Sequence, residues 1–453
     1  MTATPRRRRG FADGARLTAY DVLLAVDVEG AYSNLLLPRL LRERGLSGAD
    51  AALATELTYG ALRRQGGLDV VVAAAADRDP ARLDPPVRAL LRLGAYQLLH
   101  TRVPPHAAVS TTVELCRAVV GPRPTGLVNA VLRRVTAHPW TTWVERLAPA
   151  DPIPRLAFER GYPEWIARAI ADALGDDAAE LDQALTDAAP TVHLVARPGR
   201  IDRAELLAAA GPSATAGNWS PYAVRLAGGN PADLAAVRDG RAAVQDEGSQ
   251  LVALAATTAP IDGDDRRWLD ACAGPGGKTA ILAGLLPDGG RLLAADLHPH
   301  RARLVRDSAA TSDVVTVVAD STRPAWPADR FDRVLLDAPC SGLGALRRRP
   351  EARWRRQPSD LPRLHGLQVE LLTAAIAATR VGGIVCYATC SPHLDETKRV
   401  VAEVTGQRSD VAPVDALTLL PGVPALGAGP HVQLWPHRHG TDAMFIAPLR
   451  RTH

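Results

Sequence analysis

The stretch Leu269-Asp-Ala-Cys-Ala-Gly-Pro-Gly-Gly-Lys-Thr279 follows an apolar run, Trp268–Ala271, and leads into a helical segment. Strand, glycine-rich turn and helix in that order open an α/β sheet. Gly274, Gly276 and Gly277 permit positive φ and let a ligand approach the backbone, while the helix start offers N–H donors. Three ligand classes compete for such a turn. A phosphate-binding P-loop needs glycine five residues before Gly-Lys-Thr, and Cys272 stands there. A dinucleotide site needs G-x-G-x-x-G, which Gly274-Pro275-Gly276-Gly277 does not supply. The third is an adenosine-type ligand held at the turn and by an acid at the end of the next strand.

Outward from the turn, further apolar runs occur at Arg291–Ala295, Val314–Val318, Arg333–Leu336 and Ile384–Ala388. Helical patterns lie between them, the clearest carrying Leu364, Leu367, Leu371, Leu372 and Ile376 before a stop at Gly382-Gly383. This alternation predicts a doubly wound, Rossmann-like, mostly parallel sheet over residues 237–453, with helices on both faces. Asp296 ends the second run, 19 residues beyond Gly277, where a carboxylate gripping ribose hydroxyls is expected. Asp320 ends the third and Asp337 the fourth. One acid at a strand end is an ordinary cap; three on successive strands point to a ligand-lined carboxyl edge.

Asp337-Ala-Pro-Cys340 and Tyr387-Ala-Thr-Cys390 each follow an apolar strand, so a doubly wound sheet brings both cysteines to the edge that carries the glycine turn. Cys116, on a helix face, and Cys386, within a strand, read as buried hydrophobes, and Cys272 acts through its backbone. No C-x-x-C pair exists, and the third cysteine of a radical cluster motif would fall at His393, so no metal is expected. What remains is a nucleophilic thiol, or two thiols with divided labour. Methylation of pyrimidine carbon 5 requires such a set. A thiolate adds to carbon 6, carbon 5 attacks a methyl sulfonium, a base takes the carbon 5 proton and the thiol leaves. Asp337 is placed to hydrogen-bond the ring near nitrogen 3, and Lys278 to favour the thiolate.

Residues 346–356 hold Arg347, Arg348, Arg349, Arg353, Arg355 and Arg356 with one tryptophan and a single acid, Glu351. Beside an active-site edge this reads as a phosphate-gripping segment.

The 453 residues are 47% hydrophobic and 23% charged, a globular composition. The net charge of +4 is mild, and only Lys278 and Lys398 among the 53 basic side chains are lysines. Aromatic residues make up 4%, which excludes a broad base-stacking platform. No run approaches the ~18 apolar residues of a membrane span, and the arginines at 6–9 precede no apolar region, so neither membrane nor secretory signal is expected. Five scattered cysteines suit a reducing cytoplasm.

Four segments are predicted: a basic disordered tail (1–13), an all-helical domain (14–148), a small α/β unit (149–236) and the catalytic domain (237–453). In the helical domain Asp84 caps a helix with Pro85 at its first position and Val87, Leu90, Leu91 and Leu98 on one face. A second helix turns Leu127, Val128, Val131 and Leu132 inward. The small unit has strands at Thr191–Ala196 and Tyr222–Leu226 around a helix at Arg203–Ala210.

Asp270-Ala-Cys-Ala-Gly-Pro-Gly-Gly-Lys-Thr279, Asp337-Ala-Pro-Cys-Ser-Gly342 and Tyr387-Ala-Thr-Cys-Ser-Pro392 resemble the signature motifs of the RNA 5-methylcytosine methyltransferases. Tyr96-Gln-Leu-Leu-His-Thr-Arg-Val-Pro-Pro-His-Ala-Ala108 and Gly126-Leu-Val-Asn-Ala-Val-Leu-Arg-Arg134 resemble the NusB-like RNA-binding domain, fused ahead of the catalytic part in the RsmB (Sun/Fmu) branch. The resemblance implies Cys390 as nucleophile and Cys340 as the thiol that assists release of methylated RNA. It implies S-adenosyl-L-methionine along Cys272, Ala273, Gly274, Pro275, Gly276, Gly277 and Lys278, with Asp296, Asp320 and Asp337. It also implies a cytosine of 16S ribosomal RNA as substrate. A monomer is expected. Two departures stand out: Asp395-Glu-Thr where the family has Glu-Asn-Glu, and Asp442-Ala-Met-Phe445 where it has Asp-Gly-Phe-Phe. A non-catalytic RNA-binding factor with a decayed catalytic domain is the alternative. Methylation of an exocyclic amino group would explain neither cysteine.

Overall fold

The computed structural model describes residues 13–186 and 190–453, so the expected basic tail lies, apart from Asp13, outside the described residues. They form two compact units, one of residues 13–171, 177–186 and 346–356, the other of 172–176, 190–345 and 357–453.

The first unit is helical. Tyr20, Leu57, Leu68, Leu90, Leu91, Leu115 and Leu132 form its core. Helix Pro85–His100 starts on Pro85 as expected, but Asp84 caps it only through its backbone carbonyl. Prolines at 85 and 86 leave Val87 as the first N–H of the helix, and the Asp84 carbonyl takes it at 2.9 Å. In helix Thr125–Val135 the residues Val128, Val131, Leu132 and Val135 are buried, whereas Leu127 is 40% exposed. At 100° per residue, position 127 falls outside the stripe that 128, 131, 132 and 135 define.

The second unit holds two sheets. Strands β1 (Val192–Ala196), β2 (Ala214–Ala216), β3 (Ala223–Leu226) and β4 (Ala242–Val244) make a small antiparallel sheet in the order β2-β3-β1-β4. The large sheet contains β5 (Arg267–Asp270), β6 (Arg291–Asp296), β7 (Val314–Val318), β8 (Phe331–Asp337) and β9 (Thr379–Thr389). It is extended by β10 (Val411–Pro413), β11 (Val432–Gln433) and β12 (Phe445–Arg451). Its order is β10-β12-β9-β8-β5-β6-β7, parallel from β9 to β7 and antiparallel where β12 joins β9 and β10 joins β12. The doubly wound sheet is therefore present, with an antiparallel margin.

Each face of this sheet packs a core of its own. One contains Trp268, Leu292, Leu335, Ile384 and Met444; the other Leu269, Leu336, Leu372, Tyr387 and Phe445. Neighbouring residues of one strand enter opposite cores, as the two-residue period of a strand requires. Gly382-Gly383 does not stop the long helix, which ends at Ala378; both glycines lie inside β9. Gly382 has φ +79°, and a Cβ on Gly383 would lie 2.8 Å from the Asp332 carbonyl oxygen, so the close approach of β9 to β8 requires them.

Successive parallel strands are laid down to one side of β5 as β6 and β7, and to the other as β8 and β9. The reversal falls between β5 and β8. Loops leaving the carboxyl ends of these two strands diverge and leave a crevice.

Candidate active site

The glycine turn leaves β5 at Asp270 and enters helix Gly277–Gly284. Gly276 has φ +105°, and a Cβ there would overlap Ser308 Oγ at 1.9 Å. A Cβ on Gly274 would lie 2.4 Å from Asp296 Oδ2, the atom that accepts the Gly274 N–H at 3.0 Å. The acid at the end of β6 thus holds the turn directly. Its other oxygen accepts the His298 N–H at 2.9 Å, and the side chain is 3% exposed.

Asp270 is fully enclosed beneath the turn. Burial raises its carboxyl to about 7, against the opposing hydrogen bond from Thr279 Oγ1 at 2.7 Å. Burial also pushes the Cys272 thiol up, which suits the backbone role expected of it. Gln245 was not legible as a site residue. Its Cδ would stand 3.4 Å from a Cβ on Gly277, and its Oε1 is buried with no hydrogen-bond partner.

Cys340 and Cys390 follow β8 and β9, adjacent parallel strands in which Asp337 pairs with Ala388. The Ala338 N–H donates to the Ala388 carbonyl at 2.9 Å, carrying the pairing one residue past the strand end. The two sulfur atoms consequently meet at 3.3 Å. The hydrogen bond with Cys390, then burial, hold the Cys340 thiol well above the ordinary cysteine range, so Cys340 is the protonated partner at neutral pH.

Lys278 joins the turn to this pair, its Nζ donating to Asp337 Oδ2 at 2.7 Å. Burial opposes the ammonium charge, but the Asp337 carboxylate prevails and holds Lys278 above the usual lysine range. The same ammonium lies within electrostatic reach of Cys390. Cys390, Cys340, Asp337, Lys278 and Asp296 are therefore gathered at one sheet edge. Asp320 is not among them. It lies beyond the edge strand β7, is exposed, and its Oδ1 accepts the Thr322 N–H at 2.9 Å and Oγ1–H at 2.7 Å. These bonds lower its carboxyl and close a turn.

The arginine segment is placed otherwise than the sequence reading expected. Residues 346–356 belong to the helical unit. Arg353 is 0% exposed, donates from Nη1 to the Gly161 carbonyl at 3.0 Å and from Nη2 to Tyr162 Oη at 3.0 Å, and stacks 3.8 Å from the Tyr162 ring. Trp354 Nε1 donates to the Leu62 carbonyl at 2.8 Å, and Arg355 Nη2 to the Val26 carbonyl at 3.2 Å.

These acceptors sit at the carboxyl ends of helices Pro152–Arg160, Gly48–Arg63 and Gly14–Val28, where carbonyls lack intrahelical partners and the dipole favours cations. Glu351 acts at the opposite pole, accepting the Ser33 N–H at 3.2 Å and Ser33 Oγ–H at 2.6 Å at the start of helix Ser33–Glu43. Arg353 is therefore a buried structural residue that no phosphate reaches. Arg349 is exposed, while Arg347, Arg348, Arg355 and Arg356 are half-buried.

Among the described residues no cluster of three His, Cys, Asp or Glu side chains is arranged to hold a metal, and no helix is long and apolar enough to cross a membrane.

Comparison with known proteins bears on the same segments. Residues 256–450 match the model described as 16S rRNA methyltransferase RsmB/F, and residues 13–137 match that of the NusB family. A Mycobacterium tuberculosis protein, whose name specifies no more than a methyltransferase, is 55% identical over 99% of this chain and 98% of its own. The ribosomal RNA small subunit methyltransferase B of Pseudomonas syringae is 33% identical, with 96% of each chain covered. Among solved structures, that of PH0851 superposes with a TM-score of 0.82 over 97% of this chain and 98% of its own, at 22% identity.

Proposed function

Because the chain belongs to the RsmB/F family of 16S rRNA methyltransferases, we propose that it forms 5-methylcytosine in 16S ribosomal RNA, with S-adenosyl-L-methionine as methyl donor and Cys390 as covalent nucleophile. The observation that carries this reading is the 3.3 Å approach of the Cys340 and Cys390 sulfurs beside the glycine turn. Two thiols over one base suit a reaction that must both form and break a sulfur–carbon bond.

Carbon 5 of cytosine is a weak nucleophile. The Cys390 thiolate adds to carbon 6, forming the S–C6 bond and moving a ring electron pair toward carbon 5, which then takes the methyl group. The donor, when bound, supplies that methyl as an electrophilic substituent on a sulfonium. Loss of the carbon 5 proton to a base returns the electron pair to the ring and expels Cys390 as thiolate.

Lys278 presents its ammonium to Cys390, and Asp337 faces the ring near nitrogen 3. The largest cause of Cys340's elevated pKa is its hydrogen bond with Cys390. Once Cys390 is a thioether it no longer shares a proton with Cys340, and Cys340 is the group assigned to the carbon 5 proton, although burial, Glu396 and Asp337 still hold its thiol up. This gives the second thiol its part in release.

The glycine turn fits the donor by its own atoms. Gln245 Oε1 is buried there without a partner, and Asp296 and Asp337 end the strands on either side of β5. The residues assigned to the donor are Cys272–Lys278, Asp296 and Asp337; Asp320, exposed and bonded to Thr322, is left out of that set. The helical unit and the small antiparallel sheet β1–β4, which reach past the expected bounds of 14–148 and 149–236, hold the RNA, with Arg347, Arg348, Arg349 and Arg356 as phosphate contacts. Bisulfite sequencing of 16S ribosomal RNA from cells with and without the gene tests the reading. One protected cytosine should become convertible on deletion, and an unchanged map would overturn it.

A further inference from the structure

Glu396 belongs to the short turn Leu394–Glu396 that follows the Cys390 loop, and its side chain is 0% exposed. Its backbone is fixed to β9, since its carbonyl accepts the Tyr387 hydroxyl at 2.8 Å and Tyr387 lies three residues before Cys390. Its carboxylate reaches the other cysteine loop. Oε1 accepts the Ser341 N–H at 2.7 Å and Gln368 Nε2–H at 3.3 Å, and Oε2 accepts the Ser341 hydroxyl.

Gln368, itself 0% exposed, also donates to the Pro339 carbonyl at 2.8 Å. The residues immediately before and after Cys340 are therefore gripped from below by one connected pair. A buried carboxylate is costly unless donors surround it, and an apolar side chain of equal volume would fill the space as well. What the carboxylate adds is a fixed distance between two loops.

We infer that Glu396 is a positioning residue for Cys340, holding the second thiol against Cys390 so that the covalent RNA adduct is resolved. The inference deepens the proposed reaction and rests on it. Glu396 acts through Ser341 and the loop backbone and touches neither sulfur nor substrate. Its length matters more than its charge. In Glu396→Gln, Oε1 still accepts the Ser341 and Gln368 donors, and Nε2 donates to Ser341 Oγ. The displaced hydroxyl proton turns to Ser391 Oγ, 3.3 Å away. In Glu396→Asp the charge remains but the reach is lost.

The test uses the full-length protein with S-adenosyl-L-methionine and an unmodified 16S ribosomal RNA transcript. It reads the covalent protein–RNA band on a denaturing gel and the methyl transferred in the first turnover. Cys340→Ala sets the scale for trapping. Glu396→Ala and Glu396→Asp should accumulate the adduct at least tenfold above wild type while first-turnover transfer stays within a few-fold; Glu396→Gln should match wild type. A role in folding alone would lower transfer without trapping. If Glu396→Ala does not fold, Glu396→Asp decides. A trapping Cys340→Ala beside a folded Glu396→Asp that forms no adduct overturns the inference and leaves the cysteine chemistry standing. A Cys340→Ala that never traps removes that chemistry, and this inference with it.

Discussion

The sulfur of Cys340 stands 3.3 Å from that of Cys390, although 50 residues separate them along the chain. The pairing of β8 with β9 fixes this approach, so substituting either side chain leaves the backbone of both loops in place. Cys390→Ala should reduce tritiated-methyl transfer to RNA to background, since Cys340, the other thiol on the edge, is assigned to release and not to addition. Cys340→Ala should leave protein bound to RNA through denaturing electrophoresis. A band that survives in Cys390→Ala and is absent in Cys340→Ala would exchange the two roles.

Lys278 supplies the cationic side of the same edge. Its pKa is raised, so it stays charged across the working range, and its ammonium lies within electrostatic reach of Cys390. Lys278→Met should lower single-turnover transfer at pH 7 by roughly tenfold, about 1.4 kcal/mol of lost charge stabilisation. The loss should shrink as pH rises, because hydroxide then does what the ammonium did. A deficit that stays constant between pH 7 and pH 9 would place Lys278 in donor binding and not in thiol activation.

Asp270 gives a pH dependence of a different kind. Its folded carboxyl is raised to about 7, above the ~3.9 of an unfolded aspartate. The folded state therefore holds the proton more tightly, and the stability this contributes is present at low pH and lost as pH rises from about 4 through about 7. Asp270→Asn keeps an acceptor for Thr279 and does not ionise. Relative to wild type, the variant should gain stability across that interval, by up to about 4 kcal/mol from a three-unit shift. Urea unfolding of both proteins at pH 5 and pH 8 measures the difference. An equal difference at the two pH values would mean that Asp270 is ionised throughout.

The parts of this site that were legible in the sequence are those in which function is written locally. Gly276 has to be glycine because Ser308 and a positive φ leave no alternative, and the acids and cysteines follow their own strands directly. The roles of Glu396 and Gln245 were not legible, although Glu396 lies in the singled-out Asp395-Glu-Thr segment, because each works by reaching an element distant in the chain. The antiparallel β12 was missed for a related reason: its partner, β9, lies more than 50 residues upstream. Arg353 and Arg355 misled because sequence cannot tell a guanidinium facing phosphate from one facing the orphan carbonyls of helix ends. Both are clusters of positive charge with few acids.

That ambiguity yields a prediction, since Arg349 and Arg353 lie four residues apart and differ in exposure. Arg349→Gln should leave thermal stability unchanged and flatten the salt dependence of RNA binding by ~0.7–0.9 log units per lost contact. Arg353→Ala should do the reverse. It removes hydrogen bonds to Gly161 and Tyr162 and a cation stacked on a ring, which together stabilise by about 3 kcal/mol. The same packing makes a second demand nearby, because a Cβ on Gly66 would lie 2.4 Å from the Trp354 ring. Gly66→Ala should therefore destabilise the helical unit by about 1–3 kcal/mol. Combined with Trp354→Ala it should cost less than the sum of the two single changes, because the methyl group then occupies space the ring has vacated. Additive costs in that double variant would mean that Trp354 does not sit over Gly66, and the packing of this part of the segment against the helical unit would fall with it.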